Sequence, residues 1–352
     1  MKKFLALLTA MLFGVFFLVG CSTGTQGTNK DVDKQTTEVS SDFASDTSVK
    51  DEANNQTDIR VIALKGPTAM GLVSFMNQVD TNTILDNQYQ FEIVAAVDEV
   101  TPKIAQKKVD IAAIPANLAS VLYNNTKGEV QVLAINTLGV LYIVESGNTI
   151  TNVQDLAGKT IYASGKGATP EYALNFILSQ NGIDPEKDVT IEWKSEHTEC
   201  LAALTAQQNA IAMLPQPFVT TAQIKNEQIR IALDLTQEWE RLGTSSSLIT
   251  GVIVARREFV EQHPDAVETF LSHYKESVTY VNNNVEDAAA LIEQYDIVPA
   301  AVAAKALPSC NITLITGSEM KEKLAGYLSV LIEQNPKSVG GALPGDDFYY
   351  GE

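Results

Sequence analysis

Two short stretches carry residue types suited to gripping a ligand: "LKGPTAMG" at 64–71 and "SGKGATPE" at 164–171. In each, an apolar run of strand type ends at glycine and lysine, and a helical pattern begins near a threonine. Glycine lets the backbone come close to a bound group, and proline pre-sets the first helical turn. The N–H groups at a helix start have no intrahelical partner and sit at the positive end of the dipole, so oxygen-rich or anionic groups bind there. Lys65, Gly66, Pro67, Thr68 and Ala69 form the first candidate set; Lys166, Gly167, Ala168 and Thr169 form the second. Ordinary capping accounts for either loop alone, with Thr68 as the expected N-cap. Their recurrence in equivalent places points to a shared binding role.

Other strand ends add polar candidates. Asn117 follows Pro115, and Gln216 and Phe218 follow Pro215. Thr137 and Thr244 lie in hydroxyl-rich segments near two expected chain crossings, and Tyr123 and Tyr172 are available to stack on a ring. This equipment holds a molecule rather than breaking its bonds. A nucleophile needs a base and an orienting partner, and no such set is visible. "GTSSSL" lacks the GxSxG elbow, and no HExxH, Walker or dinucleotide fingerprint occurs. His197 in "SEHTEC" reads as a polar residue at the start of a helix capped by Thr198. His197, His263 and His273 are scattered without cysteine neighbours, so neither a metal nor a cofactor is expected, and the chain reads as a non-enzyme.

The elements that must position these residues alternate. Strands are expected at 59–64, 90–97, 110–115 and 130–136, then at 160–164, 188–193, 210–215 and 229–235, with helices between them. The helix expected at 68–79 places Met70, Val73 and Met76 on one face. This βαβα succession predicts an α/β protein with two mostly parallel sheets covered by helices. Residues 138–146 read as an extended segment leaving the first lobe, and 249–255 as a strand returning to it. Lobe 1 is therefore expected at 58–145 plus 248–352, and lobe 2 at 146–247, joined by a hinge of two crossings. An all-helical tail follows, with Met320, Leu324, Tyr327, Leu328 and Leu331 on one core-facing stripe. The cleft between lobes, outside the strand ends, is where open α/β sheets bind ligands, and small backbone changes at a hinge can close it.

The amino-terminal stretch "MKKFLALLTAMLFGVFFLVGC" has two lysines, an apolar run and small residues, the layout of an export signal over 1–20. Its apolar run is short for a membrane-spanning helix. "LVGC" resembles the lipobox of bacterial lipoproteins, which implies cleavage before Cys21 and its acylation, as by palmitate. The protein would then be held by lipid on the outer face of the cell membrane. Residues 22–57 are nearly all polar and are expected to form a disordered tether. The net charge of −18 argues against nucleic acid as a partner. Local donors can still hold an anionic ligand. Cys200 and Cys310 either pair outside the cell or stay buried as small apolar residues, the second being preferred.

"VQDLAGKTIYASGKGATPEYALNFILSQNGIDPEKDVTIEW" and "CLAALTAQQNAIAMLPQPFV" carry a family likeness, together with "VDIAAIPANLA" and "GGALPGDDFYYGE". Over most of 58–352 the chain resembles the solute-binding lipoproteins of ABC transporters, in the group named for nitrate, sulfonate, taurine and thiamine-precursor uptake. The resemblance implies a two-lobed type II periplasmic-binding fold and a monomer. It implies closure on a small polar or anionic organic solute, which passes to a permease with its ATPase subunits. It further implies that Gly66–Ala69, Asn117, Lys166–Thr169 and Gln216–Phe218 line the cleft. One alternative is an enzyme on the same fold. The export signal speaks against a menaquinone-pathway hydro-lyase, and the lack of a cysteine-rich cluster against a pyrimidine synthase. Another is a sensor that presents its ligand to a membrane receptor.

Overall fold

The computed structural model describes residues 56–243 and 246–351. The expected export signal, Cys21, nearly all of the expected tether, and Thr244 lie outside the described residues.

The first run of elements is β1 (Asp58–Leu64), α1 (Pro67–Met70), α2 (Val73–Asp80), β2 (Gln88–Val94), α3 (Val97–Ala105), β3 (Ile111–Pro115), α4 (Ala116–Thr126) and β4 (Val130–Leu138). The second run is β5 (Leu141–Glu145), β6 (Thr160–Ser164), α5 (Thr169–Gln180), β7 (Thr190–Lys194), α6 (His197–Ala206), β8 (Ile211–Pro215), α7 (Phe218–Lys225), β9 (Arg230–Asp234) and α8 (Leu235–Arg241). The chain then returns through β10 (Ile249–Arg256), α9 (Arg257–Gln262), α10 (Pro264–Asn283), α11 (Val285–Gln294), α12 (Ala300–Ala306), β11 (Ile312–Ile315) and α13 (Gly317–Gln334).

Two sheets result, ordered β11-β4-β10-β3-β1-β2 and β7-β6-β8-β5-β9. β1 runs parallel to β2 and β3, and β6 parallel to β7 and β8. Runs such as "IAAIP" and "IAMLP" are buried almost throughout, as suits strands covered on both faces. The antiparallel members follow from the chain path. β5 arrives from the first sheet and inserts antiparallel between β8 and β9. β10 arrives from the second and inserts antiparallel between β3 and β4. The α/β two-sheet fold expected from the sequence is thus present.

Four details differ from expectation. The segment expected to end the first lobe at 145 pairs in the second sheet, because β5 exchanges backbone bonds with β8 and β9. The first crossing is therefore the short link between β4 and β5. The helix expected at 68–79 is broken between α1 and α2. There the Ser277 hydroxyl donates to the Gly71 carbonyl at 2.7 Å and accepts the Phe75 amide at 3.1 Å. A side chain inserted into the helical ladder is a recognised cause of a kink. The tail is not all helical, since β11 adds an edge to the first sheet beside β4. Thr198 lies inside α6, whose N-cap is Glu196.

The apolar stripe of α13, Met320, Leu324, Tyr327, Leu328 and Leu331, is fully buried. This helix packs on α4 and β4 of the first run and on α5 of the second. One core cluster accordingly runs through both sheets and includes Ile62, Val132, Ile143, Ile161, Leu174 and Tyr327. Cys200 and Cys310 are both free and buried. Among the described residues, no helix is long and apolar enough to cross a membrane.

Candidate functional site

Parallel strands in both sheets end around one cavity of about 640 Å³. From the first sheet come Lys65 and Gly66 after β1, and Ala95 and Ala96 after β2. From the second come Ser164 and Gly165 at the end of β6, Ser195 to Thr198 after β7, and Pro217 and Phe218 after β8. Ile297 and Val298, between α11 and α12, close the apolar side. The wall built by the second sheet is rich in hydroxyls. The opposing wall is apolar apart from Lys65.

Of the residues expected to bind, Lys65, Gly66 and Phe218 face this cavity. Gly66 adopts φ 126°, a conformation strained for any residue with a side chain. It is the N-cap of α1, so the capping expected of Thr68 falls to Gly66 instead. The Thr68 hydroxyl donates back to the Leu64 carbonyl at 2.7 Å. Pro67 and Ala69 belong to the turn of α1, and Ala69 is fully buried. Thr137 is buried and donates to Asn136 Oδ1 at 3.2 Å.

The second glycine loop divides. Gly165 lines the cavity, whereas Lys166 lines a separate hollow of about 440 Å³ against α5 and β7. The Gly167 amide donates to the Glu171 carboxylate at 2.6 Å, and Ala168 is the N-cap of α5. Thr169 is buried, accepts from the Tyr327 hydroxyl at 3.1 Å and donates to Asn117 Oδ1 at 3.3 Å. Asn117 in turn donates to the Ser338 carbonyl at 3.3 Å. Asn117 and Thr169 thus join α4 to α5, and neither lines the cavity. Gln216 accepts from the Thr220 amide and hydroxyl and borders another hollow of about 500 Å³ with Lys305 and Ser309. Tyr123 donates to Asp347 and Tyr172 is buried beside Gln334; neither lines the cavity.

Residues that the sequence reading passed over complete the site. The Ser164 hydroxyl and His197 Nδ1 form a short hydrogen bond. The His197 ring lies 5.0 Å from that of Phe218, tilted by 46°. Burial lowers the imidazole pKa to about 4, against a smaller opposing effect of Glu196, so the ring is neutral at physiological pH. Lys65 Nζ stands 3.4 Å from the Asp296 carboxylate, and Glu196 accepts from the Thr198 hydroxyl at 3.0 Å. The signal for His197 was present in its place after a parallel strand. Ile297 and Val298 gave none, because they come from the distant tail.

Ser164 and His197 have no carboxylate partner aligned with them, and among the described residues no cluster of His, Cys, Asp or Glu could hold a metal ion. A family described as "ABC transporter, phosphonate, periplasmic substrate-binding protein" matches residues 73–306. No curated protein sequence matches the chain significantly. Among solved structures, an ABC transporter from Parabacteroides distasonis is similar at 21% identity and TM-score 0.71, over 84% of this chain and 100% of that one. The periplasmic aliphatic sulphonate binding protein SsuA from Escherichia coli is similar at 15% identity and TM-score 0.66, over 81% of this chain and 96% of that one. The periplasmic nitrate-binding protein NrtA from Synechocystis PCC 6803 is similar at 13% identity and TM-score 0.53, over 70% and 69% of the two chains. The protein is a two-lobed type II periplasmic-binding protein and belongs to the phosphonate-type family of ABC-transporter periplasmic substrate-binding proteins.

Proposed function

We propose that this chain is a lipid-anchored, extracytoplasmic receptor that captures a small polar or anionic organic solute between its two lobes and delivers it to an ABC permease with its ATPase subunits. The observation that carries the reading is the cavity at the converging strand ends, where Lys65, Gly66, Gly165 and Phe218 meet Ser164 and His197. Its volume suits an organic molecule of modest size. The anchor rests on the "LVGC" motif and Cys21, and the reading takes the protein as a monomer.

Two measurements test it. Thermal-shift screening of the full chain against organic and inorganic solutes should find a compound that stabilises saturably, by mass action on the folded state. A folded chain that responds to no metabolite would contradict solute capture. Fractionation with labelled palmitate should place the label on the membrane-bound protein, and Cys21→Ser should abolish both label and membrane retention. Retention of the variant would remove the lipid anchor from the proposal.

A further inference from the structure

Helix starts around the cleft look ready for an anion; α1 and α7 begin without a carboxylate, but at α3 and α6 the chain supplies its own. The Ala96 amide, leading into α3, donates to Glu99 at 3.3 Å. The Ser195 amide, leading into α6, donates to Glu199 at 3.1 Å. The Gly167 amide makes the same kind of bond to Glu171 at 2.6 Å, but beside the separate hollow that Lys166 and Glu171 line. In each loop a carboxylate from the following first turn reaches back to a backbone donor, in the manner of a capping box. An oxyanion entering the cleft would have to compete for the Ala96 and Ser195 amides and approach fixed negative charges, and like charge across an interface is a means of rejecting the wrong ligand.

The cavity lining offers an anion no unpaired cation: Lys65, its one lysine, stands against Glu196 on the opposite wall and is paired with Asp296. The remaining polar groups are neutral: the hydroxyls of Ser164, Ser195 and Thr198 and an imidazole held uncharged by burial. The tilted rings of His197 and Phe218 face a lining that includes Ile297 and Val298. Together these offer flat apolar contact and hydrogen bonds to a ring edge.

We infer that the cleft of this protein selects a solute of no net charge that bears a flat ring, and discriminates against small oxyanions such as phosphonate, sulfonate and nitrate. The inference rests on the capture reading above and narrows its solute class. Rejection comes from Glu99 and Glu199 at the loop amides, and selection from the rings of Phe218 and His197.

Calorimetry and thermal shift on the full chain would compare two probe sets. The uncharged ring compounds are nicotinamide, adenine and benzamide; the oxyanions are methylphosphonate, ethanesulfonate and nitrate. The expected result is saturable stabilisation by at least one ring compound and by none of the oxyanions. Phe218→Ala should weaken that binding about tenfold. His197→Asn, checked for native circular dichroism, should weaken it as well and guards against a misfolded Phe218 variant. Saturable stabilisation by any of the three oxyanions overturns the inference while leaving solute capture intact. Silence from both sets, with folded protein, overturns the inference, and the broad metabolite screen described above then decides solute capture separately.

Discussion

At His197, a side chain that looked like an ordinary helix-start residue becomes part of a cavity wall. Burial makes its protonated form costly, so the folded chain resists a proton that the unfolded chain accepts below pH 6.5. Between pH 6.5 and about 4 the unfolded state therefore binds more protons, and stability falls as pH is lowered. The contribution lost between pH 7 and pH 5 should be about 2 kcal/mol, and His197→Gln should remove that part of the slope in urea titrations at the two pH values. An unchanged slope would mean that the imidazole is charged in the folded protein. Neighbouring residues show why type alone did not identify the site. Thr68 and Thr169 carry the hydroxyls that the glycine loops advertise, but each is spent inside the protein, on Leu64 and on the Asn117–Tyr327 junction.

Elements are held in place by buried polar groups that tie distant parts of the chain. Asp110, just before β3, is 3% exposed and accepts from Arg60 and Arg256 at 2.7–2.8 Å. Burial would push its pKa up, but the two guanidiniums hold it below the usual carboxylate range. This carboxylate clamps β1 and β10 on either side of β3. A hydroxyl governs the α1–α2 break. Ser277→Ala would strip both the Gly71 carbonyl and the Phe75 amide of their buried partner. A cost of about 2 kcal/mol, read from the urea midpoint, is expected. A shift within experimental error would show that the two groups re-pair with each other. Gly71 itself cannot take a side chain there, since a Cβ would sit 2.6 Å from the Tyr274 hydroxyl.

For the whole molecule, the crossing strands and α13 make the two sheets one folding unit. β5 and β10 each insert into the sheet opposite the one they leave, and α13 packs on helices from both runs. Shared apolar burial of this extent predicts a single calorimetric transition for the body, with equal calorimetric and van't Hoff enthalpies. Two resolved transitions would show that the lobes unfold separately.

The alternation of short apolar strands with helices determined the fold, because periodicity and turn residues are local properties of the chain. The ends of parallel strands followed from it, and with them Lys65, Gly66 and Phe218 as cavity residues. Tertiary structure decided which donors remain available there. Whether a hydroxyl or amide is free depends on every group that competes for it, and the partners of Thr169, Asn117 and Tyr327, arrive from other elements of the chain. Even the local carboxylates of Glu99 and Glu199 disclose their role only once the backbone turns their loops toward them. The apolar wall of Ile297 and Val298 was likewise a product of packing, contributed by a segment far along the sequence that returns to the first sheet.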